Sequence, residues 1–205
     1  MDVVTTGLIE YAASAYTLPS ELVSGDNFAV VDTAKGMLVA VVDGLGHGPE
    51  AAFAATAAVN ALSQAGPTSN SLESLITHCH GALTQTRGAA MVVAEFDHQS
   101  NLVDTLCVGE VRGCLFALNE QNPRTAQQSV LLCPGLVGKS LPALQPLKFR
   151  VQRGDILVLA TDGIASAFTE DRPSNQPIQD IAHKYMSGHC KQTDDALVLA
   201  VRYLG

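Results

Sequence analysis

The sequence reads Val39-Ala40-Val41-Val42-Asp43-Gly44-Leu45-Gly46-His47-Gly48-Pro49 where an apolar strand passes into a glycine-rich turn. An Ala-rich segment to about Gln64 follows and predicts a helix with Pro49 in its first turn, where a missing N–H is tolerated. Upstream, Phe28–Asp32 and Met37–Asp43 are short, rich in valine and separated by a turn, which predicts a hairpin. Two paired strands and a helix therefore surround Asp43.

The rest of the chain adds strands and two further helices. Apolar spacing predicts a helix from Ser71, as N-cap, to about Thr86, and another near Ile178–Ser187. Strand-like segments forming an antiparallel meander are Ala90–Phe96, Leu102–Val108, Val111–Leu118 and Ser129–Leu132; later ones are Leu147–Gln152, Ile156–Asp162 and Ala196–Tyr203. Because strands and helices do not alternate, we predict one α+β sandwich domain, residues 1–205, with helices covering sheet faces.

Composition limits the classes of function. The 205 residues are 47% hydrophobic and 16% charged, which favours a compact core over disorder. The formal net charge is −8, and residues 1–86 hold eight acids and one base. This argues against nucleic-acid and anionic-membrane partners, because both require clustered cations. Metal ions are easier to accommodate.

The five cysteines and the N-terminus bear on location. The cysteines form no CxxC pair, which fits a reduced cytoplasm, and Cys107 and Cys114 lie in apolar strands as expected of buried thiols. The N-terminus has acids and no basic region, so it does not resemble a signal peptide, and no apolar run is long enough for a membrane span. We therefore expect a cytoplasmic protein.

Aspartates at the ends of strands are the most informative feature. Asp43 and Asp162 each end an apolar strand and precede a glycine, Asp26 precedes a strand, and Asp194-Asp195 precede the last strand. Carboxylates brought close together repel one another, so such a cluster needs a counter-ion. Hard oxygen ligands, with the Gly44 carbonyl exposed by a tight turn, suit Mg²⁺ or Mn²⁺. Two such ions about 3.5–4 Å apart activate water for phosphoester hydrolysis.

The order of these motifs resembles a known family. Ser24-Gly25-Asp26, Asp43–Gly48, Thr161-Asp162-Gly163 and Asp194-Asp195 are similar to the metal-dependent type 2C serine/threonine phosphatases, in their bacterial SpoIIE-like branch. The resemblance implies a four-layer αββα sandwich with a binuclear Mn²⁺ or Mg²⁺ centre between two antiparallel sheets. Within the branch, the length and compact motifs are most similar to the small phosphatase of the bacterial stressosome.

The resemblance also implies residue roles. Asp43 would bridge both ions, the Gly44 carbonyl would contact one, and Asp26, Asp162 and Asp194 would complete the site, with Asp195 as the alternative to Asp194. Asp43 and Asp162 would thereby be catalytic, through metal-bound hydroxide. His47 is the candidate general acid, although it could simply open the helix. The substrate would be phosphoserine or phosphothreonine on a stressosome scaffold or an anti-sigma antagonist.

Two other interpretations remain open. Gly44-x-Gly46-x-Gly48 between a strand and a helix imitates a dinucleotide-binding turn, but Asp43 would face the pyrophosphate and parallel βαβ units are missing. The chain could also be a non-catalytic binding module of the same fold, which the intact carboxylate set argues against. One departure from the family is that residues 1–86 contain no arginine, so metals would have to hold the phosphate.

Overall fold

The computed structural model describes residues 3–118 and 127–205. In chain order the strands are β1 (Val4–Thr5), β2 (Ile9–Tyr16), β3 (Asp26–Asp32), β4 (Gly36–Gly44), β5 (Ala89–Asp97), β6 (Leu102–Val108), β7 (Arg112–Phe116), β8 (Gln127–Ser129), β9 (Leu147–Arg150), β10 (Ile156–Ala160) and β11 (Ala196–Tyr203). The α-helices are α1 (Pro49–Ala65), α2 (Leu72–Ala82) and α3 (Ile178–His189), and short 3-10 helices cover Gly66–Thr68 and Ser166–Glu170.

Two antiparallel sheets form the centre of the fold. One has the order β1-β2-β11-β10-β7-β8 and the other β3-β4-β5-β6-β9. Alternation along β4 directs Val39 and Val41 into the core between the sheets, while Leu38, Ala40 and Val42 pack beneath α1 and α2. Helix α3 covers the outer face of the other sheet. The predicted αββα sandwich is confirmed.

Small residues bring α1 close to the sheet behind the glycine-rich turn. Its buried positions are mostly alanine, from Ala51 to Ala61, and pack on β3 and β4. A Cβ added at Gly44 would lie 2.1 Å from the Ala51 carbonyl oxygen, so glycine is required there by the helix. The prediction attributed Gly44 to a tight turn, whereas the structure places it at the end of β4. The helix packing predicted for the alanines is confirmed.

The strand predictions differ from the structure in several places. Strands β1 and β2 were not predicted, because Ile9–Tyr16 is rich in alanine and has little β-branched character. The predicted meander is divided, since β5 and β6 lie in one sheet and β7 and β8 in the other. Strand β8 ends at Ser129. Strand β10 ends at Ala160 because the Thr161 hydroxyl, rather than a backbone carbonyl, accepts the N–H of Leu197 at 2.8 Å.

One helix boundary also differs from the prediction. Helix α2 has Ser71 as its N-cap, as expected, but ends at Ala82 rather than Thr86.

The predicted burial of two cysteines is confirmed. Burial raises the pKa of the Cys107 thiol to about 12 and that of Cys114 to about 11, so both are inert core residues. Within the described part of the chain, every helix is too short or too polar to cross a membrane.

Candidate active site

The site is built on one cross-strand pair of aspartates. Asp26 at the start of β3 and Asp43 near the end of β4 are direct partners in the antiparallel register. Asp43 has the same alternation as Val39 and Val41, so both carboxylates face the space between the sheets. No lysine, arginine or histidine within residues 3–118 and 127–205 forms an ion pair with either of them. Two like charges are therefore placed side by side without a protein cation.

The pKa values of this pair reflect that environment. The pKa of Asp43 is raised to about 9, chiefly by burial and next by the charge of the neighbouring Asp26. Burial likewise raises the pKa of Asp26 to about 7, against the opposing effect of a hydrogen bond from Thr161. Near neutral pH the pair therefore retains a proton unless a cation neutralises it.

Thr161 connects the aspartate pair to the opposite sheet. Its hydroxyl donates to Oδ2 of Asp26 at 2.7 Å and accepts the backbone N–H of Leu197 at 2.8 Å. Because the N–H of Leu197 occupies the acceptor side of the oxygen, the hydroxyl proton is directed at Asp26. No role was predicted for Thr161 from the sequence, although the residue lies in the Thr161-Asp162-Gly163 motif.

Asp162 and Asp194 lie in an open cleft beside Asp43. The cleft has a volume of about 460 Å³ and is lined by Asp43, Leu45, Gly46, Ala90, Gly109, Glu110, Gly135, Leu136, Asp162 and Asp194. Burial raises the pKa of Asp162, as does the charge of Asp194, while Lys191 and Arg112 oppose the shift. The Lys191 ammonium donates to the Asp162 carbonyl oxygen at 2.5 Å. Neither Lys191 nor Arg112 was predicted from the sequence to lie near the site.

Asp195 is bound differently from its neighbour. Its two carboxylate oxygens accept the backbone N–H groups of Leu18, at 2.8 Å, and Gly25, at 2.7 Å. Its side chain thus fastens the loop that leads into Asp26, and the residue is only 3% exposed. This geometry favours Asp194 as a metal ligand and gives Asp195 a positioning role, although which of them binds metal stays a prediction.

His47 points away from the cleft. Its Nδ1 lies 2.6 Å from Oε1 of Glu21, the ring is 56% exposed, and it is not among the cleft-lining residues. Its role as general acid stays a prediction. The dinucleotide alternative is wrong, because β4 pairs antiparallel with both β3 and β5 and no βαβ unit surrounds the glycine-rich turn.

The donor set fits hard divalent cations. Asp26, Asp43, Asp162 and Asp194 offer carboxylate oxygens, and the like-charged, partly buried Asp26–Asp43 pair has a charge that a cation would neutralise. As the described side chains stand, no three His, Cys, Asp or Glu residues are already arranged around one point. The fit therefore rests on donor chemistry and uncompensated charge.

Comparison with known proteins shows the family. The model of the stage II sporulation protein E (SpoIIE) family matches residues 33–204, so the chain belongs to this family. The predicted SpoIIE-like branch of the type 2C phosphatases is thereby confirmed. Asp26 precedes the matched segment, so its place in the site rests on its register with Asp43. No curated protein matches the chain.

Solved structures show the same fold. One, from a study of the bacterial stressosome as a modular system adapted to control secondary messenger signaling, has a TM-score of 0.84 and 24% identity, covering 95% of this chain and 99% of that chain. RsbX in complex with magnesium has a TM-score of 0.81 and 20% identity, covering 98% of each. The catalytic domain of the Mycobacterium tuberculosis serine/threonine phosphatase PstP with 2 manganese ions has a TM-score of 0.67 and 16% identity, covering 97% and 99%. The chain therefore has the fold of the type 2C serine/threonine phosphatases.

Proposed function

We propose that this chain is a metal-dependent protein serine/threonine phosphatase that uses Mn²⁺ or Mg²⁺, with two ions bound. The observation that carries the proposal is the placement of Asp26 opposite Asp43, without a protein cation, beside an open cleft that also contains Asp162 and Asp194. The solved relatives with magnesium and with 2 manganese ions support the choice of metals.

The chain's own residues hold and orient the reacting groups. Asp43, Asp26, Asp162, Asp194 and the Gly44 carbonyl would hold the ions, and Thr161 orients the Asp26 carboxylate by donating a hydrogen bond to it. Bound divalent cations lower the pKa of a coordinated water and shield the phosphoryl oxygens. Lys191 and Arg112 add positive charge beside Asp162.

The substrate class follows from the cleft and from the relatives. The cleft is open to solvent, so it accepts a phosphorylated side chain on an intact protein. Similarity to RsbX and to a structure from the stressosome supports a phosphoserine or phosphothreonine on a stress-signalling protein, either a stressosome scaffold or an anti-sigma antagonist. We propose a cytoplasmic location for this reaction.

The test is hydrolysis of p-nitrophenyl phosphate and of a phosphoserine peptide, with and without Mn²⁺. Activity should require the metal and should fall at least about 100-fold in Asp43→Asn, because metal ligands contribute at least as much as the residues that orient them. Asp104→Asn is the matched control, since Asp104 pairs with Lys148 away from the site. Activity that survives chelation or the Asp43 substitution would overturn the proposal, as would binding of a phosphoprotein without hydrolysis.

A further inference from the structure

A second groove adjoins the cleft, on the side where α1 begins. It has a volume of about 620 Å³ and is lined by Pro49, Glu50, Phe53, Gln85, Thr86, Arg87 and Lys139. We call it the cation groove, because Arg87 and Lys139 both line it. None of these residues belongs to the carboxylate cluster, so the groove has no role in the site described above.

The walls of the cation groove continue into the cleft. A Cβ added at Gly46 would lie 3.1 Å from Nη1 of Arg87, so the guanidinium rests against a residue that lines the cleft. The backbone beside Arg87 is fixed, because Leu45 donates its N–H to the Gly88 carbonyl at 3.0 Å. On the other wall, the Lys139 N–H donates to the carbonyl of Leu136, another cleft residue, at 3.0 Å. A chain lying in the cleft can therefore extend into the groove.

The cations of the groove are available to a ligand. Arg87 pairs with Glu50, but the two side chains are 45% and 70% exposed, and such a pair is weak enough for an incoming carboxylate to displace Glu50. The ammonium of Lys139 donates to the carbonyl oxygen of Thr84 at 3.4 Å and forms no ion pair within the described part of the chain. The groove thus offers two donors for one anionic group in a protein whose net charge is −8.

The groove also presents apolar surface to solvent. Phe53 on α1 lines the groove and is 64% exposed, and Leu45, which lines the neighbouring cleft, is 50% exposed. Exposed large side chains beside a cleft are typical of surfaces that bind a polypeptide. Apolar contact with Phe53 and the charges of Arg87 and Lys139 suit an extended peptide that carries acidic side chains.

We propose that the cation groove binds an acidic side chain of the phosphoprotein substrate, close in sequence to the phosphorylated residue. The carboxylate is held by Arg87 and Lys139 while the phosphorylated residue lies in the cleft. The inference rests on the proposed phosphatase function and extends it to substrate choice: acidic residues beside the phosphorylation site favour hydrolysis.

The test compares two synthetic phosphoserine peptides. One has Glu at the two positions on each side of the phosphoserine, and the other has Gln, so that shape is kept and charge removed. With Mn²⁺, wild type should hydrolyse the Glu peptide with a kcat/KM about tenfold higher, as expected for charge-assisted hydrogen bonds. Arg87→Gln and Lys139→Gln should each reduce that ratio towards one. Lys148→Gln is the matched control, because Lys148 pairs with Asp104 elsewhere, and it should keep the ratio.

Each outcome separates the two proposals. A wild type that hydrolyses both peptides equally would overturn the groove assignment and leave the phosphatase function standing. If Arg87→Gln slows the Glu peptide, the Gln peptide and p-nitrophenyl phosphate alike, Arg87 acts on the phosphate and the assignment is also wrong. A wild type inactive on every phosphoester would overturn the function and the inference with it. Circular dichroism establishes that each variant is folded. Lys139→Gln tests the groove assignment independently of Arg87→Gln.

Discussion

Asp26 and Asp43 are directly opposite each other in the antiparallel pair of β3 and β4. Side chains at such positions have Cβ atoms about 4.5–5.5 Å apart, and like charges there destabilise a sheet. This destabilising pair lies at the start of β3 and near the end of β4, where the Asp43 carboxylate also lines the cleft. The pair is therefore best explained as a site for a cation of higher charge than any side chain supplies.

The stability of the metal-free protein should fall as pH rises. Asp26 and Asp43 have pKa values of about 7 and about 9 in the folded protein, above their ordinary 3.8. At a pH between 3.8 and the raised pKa of each group, the folded state therefore binds more protons than the unfolded state. Each group then lowers the free energy of unfolding by up to about 1.4 kcal/mol per pH unit. Urea unfolding in EDTA from pH 5 to pH 9 measures this, and Asp43→Asn should flatten the profile. A wild-type profile as flat as that of the variant would contradict the account.

Thr161→Val tests the hydroxyl that links the sheets. The substitution removes a donor to Asp26 and leaves the Leu197 N–H without its acceptor, so the free energy of unfolding should fall by about 1–3 kcal/mol. Mn²⁺ affinity should weaken about tenfold, because Thr161 orients a ligand. Thr161→Ser keeps the hydroxyl and should bind Mn²⁺ as tightly as wild type does. If Thr161→Ser binds Mn²⁺ as weakly as Thr161→Val, the hydroxyl does not orient Asp26 for metal binding.

Substitutions of Asp194 and Asp195 should affect different properties: Asp194 the Mn²⁺ affinity, and Asp195 the stability of the fold. Asp195→Asn replaces an acceptor of two backbone N–H groups with an amide that can accept only through one atom, so stability should fall by about 1–3 kcal/mol. Asp194→Asn should leave stability nearly unchanged and weaken Mn²⁺ binding at least about tenfold. Thermal unfolding and metal titration of both variants measure the two effects, and the reverse pattern would make Asp195 the ligand.

Gly44→Ala tests the close approach of α1. The added methyl would meet the Ala51 carbonyl oxygen at 2.1 Å, so the variant should lose about 1–3 kcal/mol of stability or more. Gly81→Ala is the matched control, because nothing lies within 4 Å of its added Cβ and alanine favours the helix. A Gly44→Ala protein as stable as wild type would show that the helix is not held against the strand.

The sequence predicted the strand that carries Asp43 and the strand that leads to Asp162, because apolar runs ending in Asp-Gly are local patterns. It also predicted which aspartates precede strands, but not which of Asp194 and Asp195 would be fastened by backbone donors. That distinction depends on where the loop before Asp26 meets the other sheet, a contact between residues about 170 positions apart in the chain. Strand β2 was missed for a related reason, since its alanines are held mainly by pairing with β11.

Calorimetric titration of the metal-free protein with Mn²⁺ at pH 7 tests whether the Asp26–Asp43 pair is part of a cation site. Run in two buffers of different ionisation enthalpy, it measures both affinity and proton release. Binding should release between one and two protons per protein, because Asp43 and about half of Asp26 stay protonated at pH 7 until the metal neutralises the pair. Asp43→Asn should abolish both signals. Equal Mn²⁺ binding by wild type and Asp43→Asn, or no binding by wild type, would contradict the account.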